Sequence, residues 1–117
     1  MTEDIVIEIG TFNRHESCPV RPSNYIFEGY THIQNMFDFF DMFSIAMKYF
    51  YQYKHASPIH FKFYPSGLTQ ATVAVLDAFT LVQKNNDAIN DTFPHKLSIQ
   101  IWDRDAQRYR QQSWGVE

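Results

Sequence analysis

The order of elements in the middle of the chain constrains the fold most. Residues 59–64 alternate apolar and polar side chains, and residues 96–102 do so again, a period of two that predicts strands. Between them, residues 67–84 carry apolar side chains at the spacing of an amphipathic helix. A strand, a helix and a second strand in this order favour parallel neighbours in one sheet. We therefore predict an α/β domain built on this strand–helix–strand unit.

Further strands are predicted on both sides of that unit. Residues 5–9 alternate isoleucines with other side chains, and residues 25–30 are rich in β-forming types. Turn-forming residues at 103–106 precede a mostly polar segment, 107–114, which returns as a C-terminal hairpin. We expect a mixed sheet of four or five strands with two main helices, with an α+β arrangement as the alternative. A chain of 117 residues is the size of a single domain, residues 1–117.

The first predicted helix, residues 32–54, is unusually apolar. Thr31 and Gln34 match a capping box at its start. Aromatic residues make up 17% of the chain, and this helix carries them in two adjacent stripes. One stripe is expected in the core, and the other is covered either by a second helix or by a protein partner, since exposed apolar patches mark interaction sites. The residues predicted to form a partner interface are Phe39, Met42, Tyr49 and Tyr53.

Composition argues against several classes of function. A net charge of −3 provides no basic field, so direct nucleic-acid binding is not expected. No apolar run is long enough to cross a membrane, and the lone Cys18 fits a reducing compartment, so we expect a cytoplasmic protein. The five histidines show no metal-ligand spacing. We therefore predict no metal, no cofactor and no catalytic residue.

Two turns carry candidate ligand-binding residues. The first, Ser66, Gly67 and Thr69, lies between a strand and a helix, where free amides and hydroxyl groups favour an anion. The second contains Asp103 and Arg104 at the end of the last long strand. The alternative is purely structural, because serine caps helices and aspartate is common in turns.

The same residues carry a resemblance to known proteins. Residues 57–114 run from a strand through Ser66-Gly67-Leu68-Thr69 and a helix to a strand that ends in Trp102-Asp103-Arg104-Asp105, followed by Tyr109 and Gln112. This order resembles small α/β proteins of unknown function from phages and other mobile elements. It is also similar to CARF domains, Rossmann-like sensors of cyclic oligoadenylates, which bind phosphate at a turn after a strand. The turn here has one glycine where CARF domains have two.

Two classes of function follow from these features. The first is a small non-enzymatic protein that acts by protein–protein contact, such as a phage-encoded inhibitor of a host defence system. Its partner is either another protein or a second copy of the chain, forming a homodimer. The alternative is a small nucleotide- or anion-binding domain of the CARF kind, with weak phosphodiesterase activity.

Overall fold

The computed structural model describes residues 5–11, 22–27, 39–53, 57–65, 69–87 and 94–114. Within these ranges the chain forms five strands and two helices. In chain order they are β1 (Ile5–Gly10), β2 (Asn24–Tyr25), α1 (Phe39–Tyr51), β3 (Ile59–Phe63), α2 (Thr69–Asp87), β4 (Lys96–Asp103) and β5 (Arg108–Trp114).

All five strands belong to one mixed sheet with the order β2-β1-β3-β4-β5. β1 is parallel to β2 and β3, and β3 is parallel to β4. Only the last pair, β4 with β5, is antiparallel. The predicted α/β class is confirmed, including the central strand–helix–strand unit and the C-terminal hairpin.

The two faces of the sheet differ sharply in chemistry. Ile7, Phe61 and Leu97 lie opposite one another in adjacent strands and therefore share a face. Both helices pack there, because the Phe61 ring lies 5.3 Å from Phe50 of α1 and 6.3 Å from Phe79 of α2. We call this side the helix face. The residues that alternate with these along each strand lie on the opposite side of the sheet, which we call the polar face. Its members include Glu8, His60, Lys62, Ser98, Gln100, Trp102, Tyr109 and Gln111.

Of the four α1-region residues predicted to form a partner interface, Met42 is placed wrongly by that prediction. Met42 has no exposed surface and packs in the core. Tyr49 and Tyr53 are half-buried beside Phe61, with ring centroids 6.5 and 5.4 Å from it, and half-buried Phe39 stacks on Phe43. The sheet of the same chain therefore covers part of this side through Phe61. The large apolar side chains that α1 exposes are Phe40 and Tyr51.

Several element boundaries differ from the prediction. Of the strand expected at 25–30, Tyr25 lies in β2, Ile26 and Phe27 lie in a turn and donate their amides to the carbonyls of Gly10 and Thr11, and residues 28–30 are outside the described residues. The predicted start of the first helix near residue 32 lies outside the described residues, and that helix ends at Tyr51 instead of residue 54. α2 continues to Asp87, three residues beyond the prediction. Neither of the described helices is long and apolar enough to cross a membrane.

Candidate functional site

The β4–β5 hairpin extends beyond the rest of the sheet. The last residue pair between β3 and β4 is Phe63 with Ile99, whereas β4 continues to Asp103 and pairs with β5 from Leu97 to Asp103. At about 3.3 Å per residue, the last four residues of β4 reach roughly 13 Å past the end of that pairing. We call residues 100–111 the arm.

The turn at the tip of the arm is held by one carboxylate. Oδ1 of Asp103 accepts the amides of Asp105 and Ala106 at 3.0 and 3.1 Å, and Oδ2 accepts Nε of Arg110. The hydrogen bond from Arg110 and those from the turn amides lower the pKa of Asp103. Gln107, the last residue of the turn, takes the left-handed conformation with φ of 53°. Both oxygens of Asp103 are thus engaged in shaping the turn.

Two aromatic rings on one face of the arm form a cluster with a third ring, Tyr64, which follows β3. Trp102 and Tyr109 are cross-strand partners with centroids 5.1 Å apart, and Tyr109 meets Tyr64 edge-on, also at 5.1 Å. The Tyr64 hydroxyl donates to Oε2 of Glu8 at 3.1 Å. Burial and the Glu8 carboxylate raise the pKa of Tyr64 to about 12, so the phenol keeps its proton near neutral pH. This aromatic cluster (Tyr64, Trp102, Tyr109) anchors the arm to β1.

A ladder of hydrogen bonds lies beside the aromatic cluster on the polar face. Nε2 of Gln100 donates to Oγ of Ser98 and to Oε1 of Gln111, both at 3.0 Å. Nε2 of His60 lies 2.7 Å from the same Ser98 oxygen. A serine beside a histidine is the pair used in nucleophilic catalysis. Ser98, however, is only 1% exposed, so the described geometry is that of a cross-strand link joining β3, β4 and β5.

The other face of the arm presents exposed charged and apolar side chains. Ile101 is 48% exposed, and its cross-strand partner Arg110 is also exposed. Arg104 and Arg108 are also exposed and add positive charge at the tip of the arm. Asp105, which lies between them in sequence, is exposed as well. The arm therefore combines a ring surface on one side with guanidinium groups and an isoleucine on the other.

Two of the predicted ligand-binding residues form the tip of this arm, and one lies apart from it. Asp103 and Arg104 belong to the hairpin turn, whereas Thr69 is the exposed first residue of α2. Thr69 and the arm occupy the same edge of the sheet, because β3 and β4 run parallel and both end there. Because β4 continues for four residues after its last pair with β3, Asp103 lies well beyond the end of β3. Ser66 and Gly67 lie outside the described residues.

The one fully buried histidine of the described chain has a structural role. Nδ1 of His95 accepts the amide of Ile59 at 3.0 Å, so Nε2 carries the proton and donates to the Tyr53 carbonyl at 2.7 Å. Burial lowers the pKa of His95 and favours this neutral form. The ring joins the start of β3 to the segment after α1. Among the described side chains, no group of three His, Cys, Asp or Glu residues is placed to hold a metal ion.

The chain has no match among known families. No protein-family model matches it, and neither the curated proteins nor the solved structures contain a match.

The sequence points to the tip of the arm and to Trp102 and Tyr109, but not to the residues that connect the arm to β1 or extend its basic side. Tyr64, Glu8 and Arg108 were not singled out, because the period-two pattern does not show how far β4 extends past β3. One signal was present. Trp102 and Tyr109 lie at equal distances from the centre of the turn, which makes them cross-strand partners in a two-stranded hairpin.

Proposed function

We propose that the protein is a non-catalytic binding protein that contacts another protein through its arm. The observation that supports this proposal is that the β4–β5 hairpin extends past β3, with aromatic rings on one face of the hairpin and arginine side chains on the other. Tryptophan, tyrosine and arginine are the residue types that dominate the energetics of protein interfaces. The arm offers all three on a surface that projects from the sheet.

The order of the arm also favours binding. Asp103 fixes the turn, and the Tyr64–Glu8 hydrogen bond fixes the aromatic cluster, so little conformational entropy is lost when a partner docks. A partner would gain affinity from these rings without having to order them first.

The charge of the arm indicates the kind of partner. Arg104, Arg108 and Arg110 outnumber Asp103 and Asp105, while the whole chain has a net charge of −3. A locally basic tip on an acidic protein suits an acidic patch of a protein partner better than a nucleic acid, whose long anionic backbone would meet the acidic remainder. Given the resemblance of residues 57–114 to small phage proteins, we propose a host defence protein as this partner, inhibited by occupation of its surface.

Affinity capture with matched variants tests this proposal. Tagged wild-type protein is incubated with host-cell extract beside Arg104→Glu at the tip and Lys84→Glu, an equal charge reversal on exposed α2. We expect one protein to be retained by the wild type and by Lys84→Glu but lost with Arg104→Glu. Calorimetry with the purified partner should then show binding at least about tenfold weaker for Trp102→Ala. Equal retention by all three chains, with circular dichroism confirming their folding, rules out the arm as the contact surface.

A second candidate is anion or nucleotide binding at the start of α2. The observation in its favour is that α2, the next described element after the parallel strand β3, begins at Thr69, at the end of the sheet where open α/β folds bind ligands. Thermal shift with mono- and cyclic nucleotides tests it, since a ligand that binds the native state raises Tm. A rise that Thr69→Val abolishes supports this candidate. An unchanged Tm at millimolar ligand eliminates it.

A further inference from the structure

β5 forms one long outer edge of the sheet that the structure describes. It is the last strand in the sheet order, and β4 is its only strand partner among the described residues. Its seven residues pair with β4 in unbroken register and include no proline, and its charged side chains are Arg108 and Arg110, which lie towards the hairpin turn. The opposite edge strand, β2, has only two residues. A row of backbone amides and carbonyls this long is a template for another strand.

The sequence of β5 limits how two copies can pair. Antiparallel pairing across a two-fold axis perpendicular to the sheet puts one residue on the axis and pairs its neighbours symmetrically. With Arg110 on the axis, two arginines face each other. With Tyr109 on the axis, Arg108 of each copy faces Arg110 of the other. Like charges directly opposite each other destabilise a strand pair, so these two registers are disfavoured.

With Gln111 on the axis, all seven residues pair without a clash of charge. Arg108 then lies opposite Trp114, Tyr109 opposite Ser113, and Arg110 opposite Gln112. An arginine over a tryptophan ring is a favourable cation–π contact, and Trp114 is already oriented by its hydrogen bond to Oγ1 of Thr80 at 3.0 Å. The two Gln111 side chains each offer a donor and an acceptor to the other.

We propose that the protein forms a homodimer in which β5 strands of two copies pair antiparallel about Gln111. The two sheets become one continuous sheet, and the two-fold axis places both aromatic clusters on the same side of it. This dimer uses the backbone edge of β5, and it also brings Arg108 and Arg110 of the arm beside Trp114 and Gln112 of the other copy.

Charge placed on the two-fold axis gives a direct test. In a dimer of Gln111→Lys or of Gln111→Glu, two like charges face each other at the two-fold axis. Each variant should therefore raise the dimer dissociation constant by at least about tenfold in analytical ultracentrifugation. An equimolar mixture of the two variants should restore dimers, because unlike charges then meet. The control is Gln70→Lys, the same change on the exposed start of α2, which should dimerise like the wild type.

A second substitution tests the register. Gln112→Glu puts a carboxylate opposite Arg110 of the other copy and should strengthen the dimer. If it weakens the dimer, pairing about Gln111 is wrong, because a register centred on Gln112 would oppose two carboxylates. A wild type that stays monomeric up to millimolar concentration, or a dimer unaffected by both Gln111 variants, overturns the proposal.

Discussion

At the scale of single residues, His95 couples stability to pH. It is buried as the neutral tautomer, and protonation would turn Nδ1 from an acceptor into a donor facing the Ile59 amide. Its pKa in the folded state is lowered from the unfolded value of about 6.5. The unfolded chain therefore binds the proton more readily. The stabilisation from this group is complete above pH 6.5 and decreases as pH falls through the folded pKa.

Replacement of His95 tests this coupling. His95→Leu leaves the Ile59 amide and the Tyr53 carbonyl without their partner, which should cost about 1–3 kcal/mol at pH 7. The variant should also lose less stability than the wild type between pH 7 and pH 5, because the group that titrates there is gone. Urea unfolding at several pH values measures both effects. Parallel stability curves for the two proteins would contradict the assignment.

Gly10 is required by the close approach of two side chains. A Cβ added there would lie 2.8 Å from Cγ of Pro22 and 3.1 Å from the ring of Tyr25. The proline ring cannot rotate away, so Gly10→Ala should destabilise the fold by about 1–3 kcal/mol through overpacking. Ser113→Ala, on an exposed strand position, should change stability by less than about 0.5 kcal/mol. Thermal unfolding of both variants measures the difference, and equal Tm values would contradict the proposed crowding.

At the scale of elements, the arm depends on the Asp103 carboxylate. Asp103→Ala removes the acceptor for the amides of Asp105 and Ala106 and for Arg110. Hydrogen exchange by NMR should show these two amides losing protection while the amides of β3 keep theirs. Asp105→Ala is the matched control, because Asp105 contributes its amide and not its carboxylate to this turn. Loss of protection in both variants alike would show that the turn does not depend on Asp103.

The elements themselves were largely predictable, whereas their extents and faces were not. Alternation at Ile59–Phe63 and in β4 is a local property, so the strands followed from the sequence. The buried side of α1 could not be predicted from the sequence. Phenylalanine, tyrosine and methionine lie all around the helix, so no polar face is wide enough to identify the side that faces solvent. The length of the arm and the bond from His95 to Ile59, 36 residues away, depend on register and long-range packing. Local patterns carry no information about these.

At the scale of the whole molecule, one ring joins both helices to the sheet. Phe61 lies at the centre of the helix face and has no exposed surface, and the ring centroids of Phe50, Tyr53 and Phe79 lie 5.3, 5.4 and 6.3 Å from its own. Its removal leaves a cavity bordered by β3, α1 and α2 at once. Because most domains are stable by only about 5–15 kcal/mol, loss of this ring should affect the entire fold.

Two phenylalanine truncations decide whether the fold is organised in this way. Phe61→Ala should cost about 3–5 kcal/mol in urea unfolding, whereas Phe40→Ala, which truncates a ring 77% exposed on α1, should change stability by less than about 0.5 kcal/mol. A large cost at Phe40 would mean that the outer side of α1 is covered in the folded protein. The binding surface would then have to be sought there as well as on the arm. A small cost at Phe61 would contradict the packing of both helices on one face.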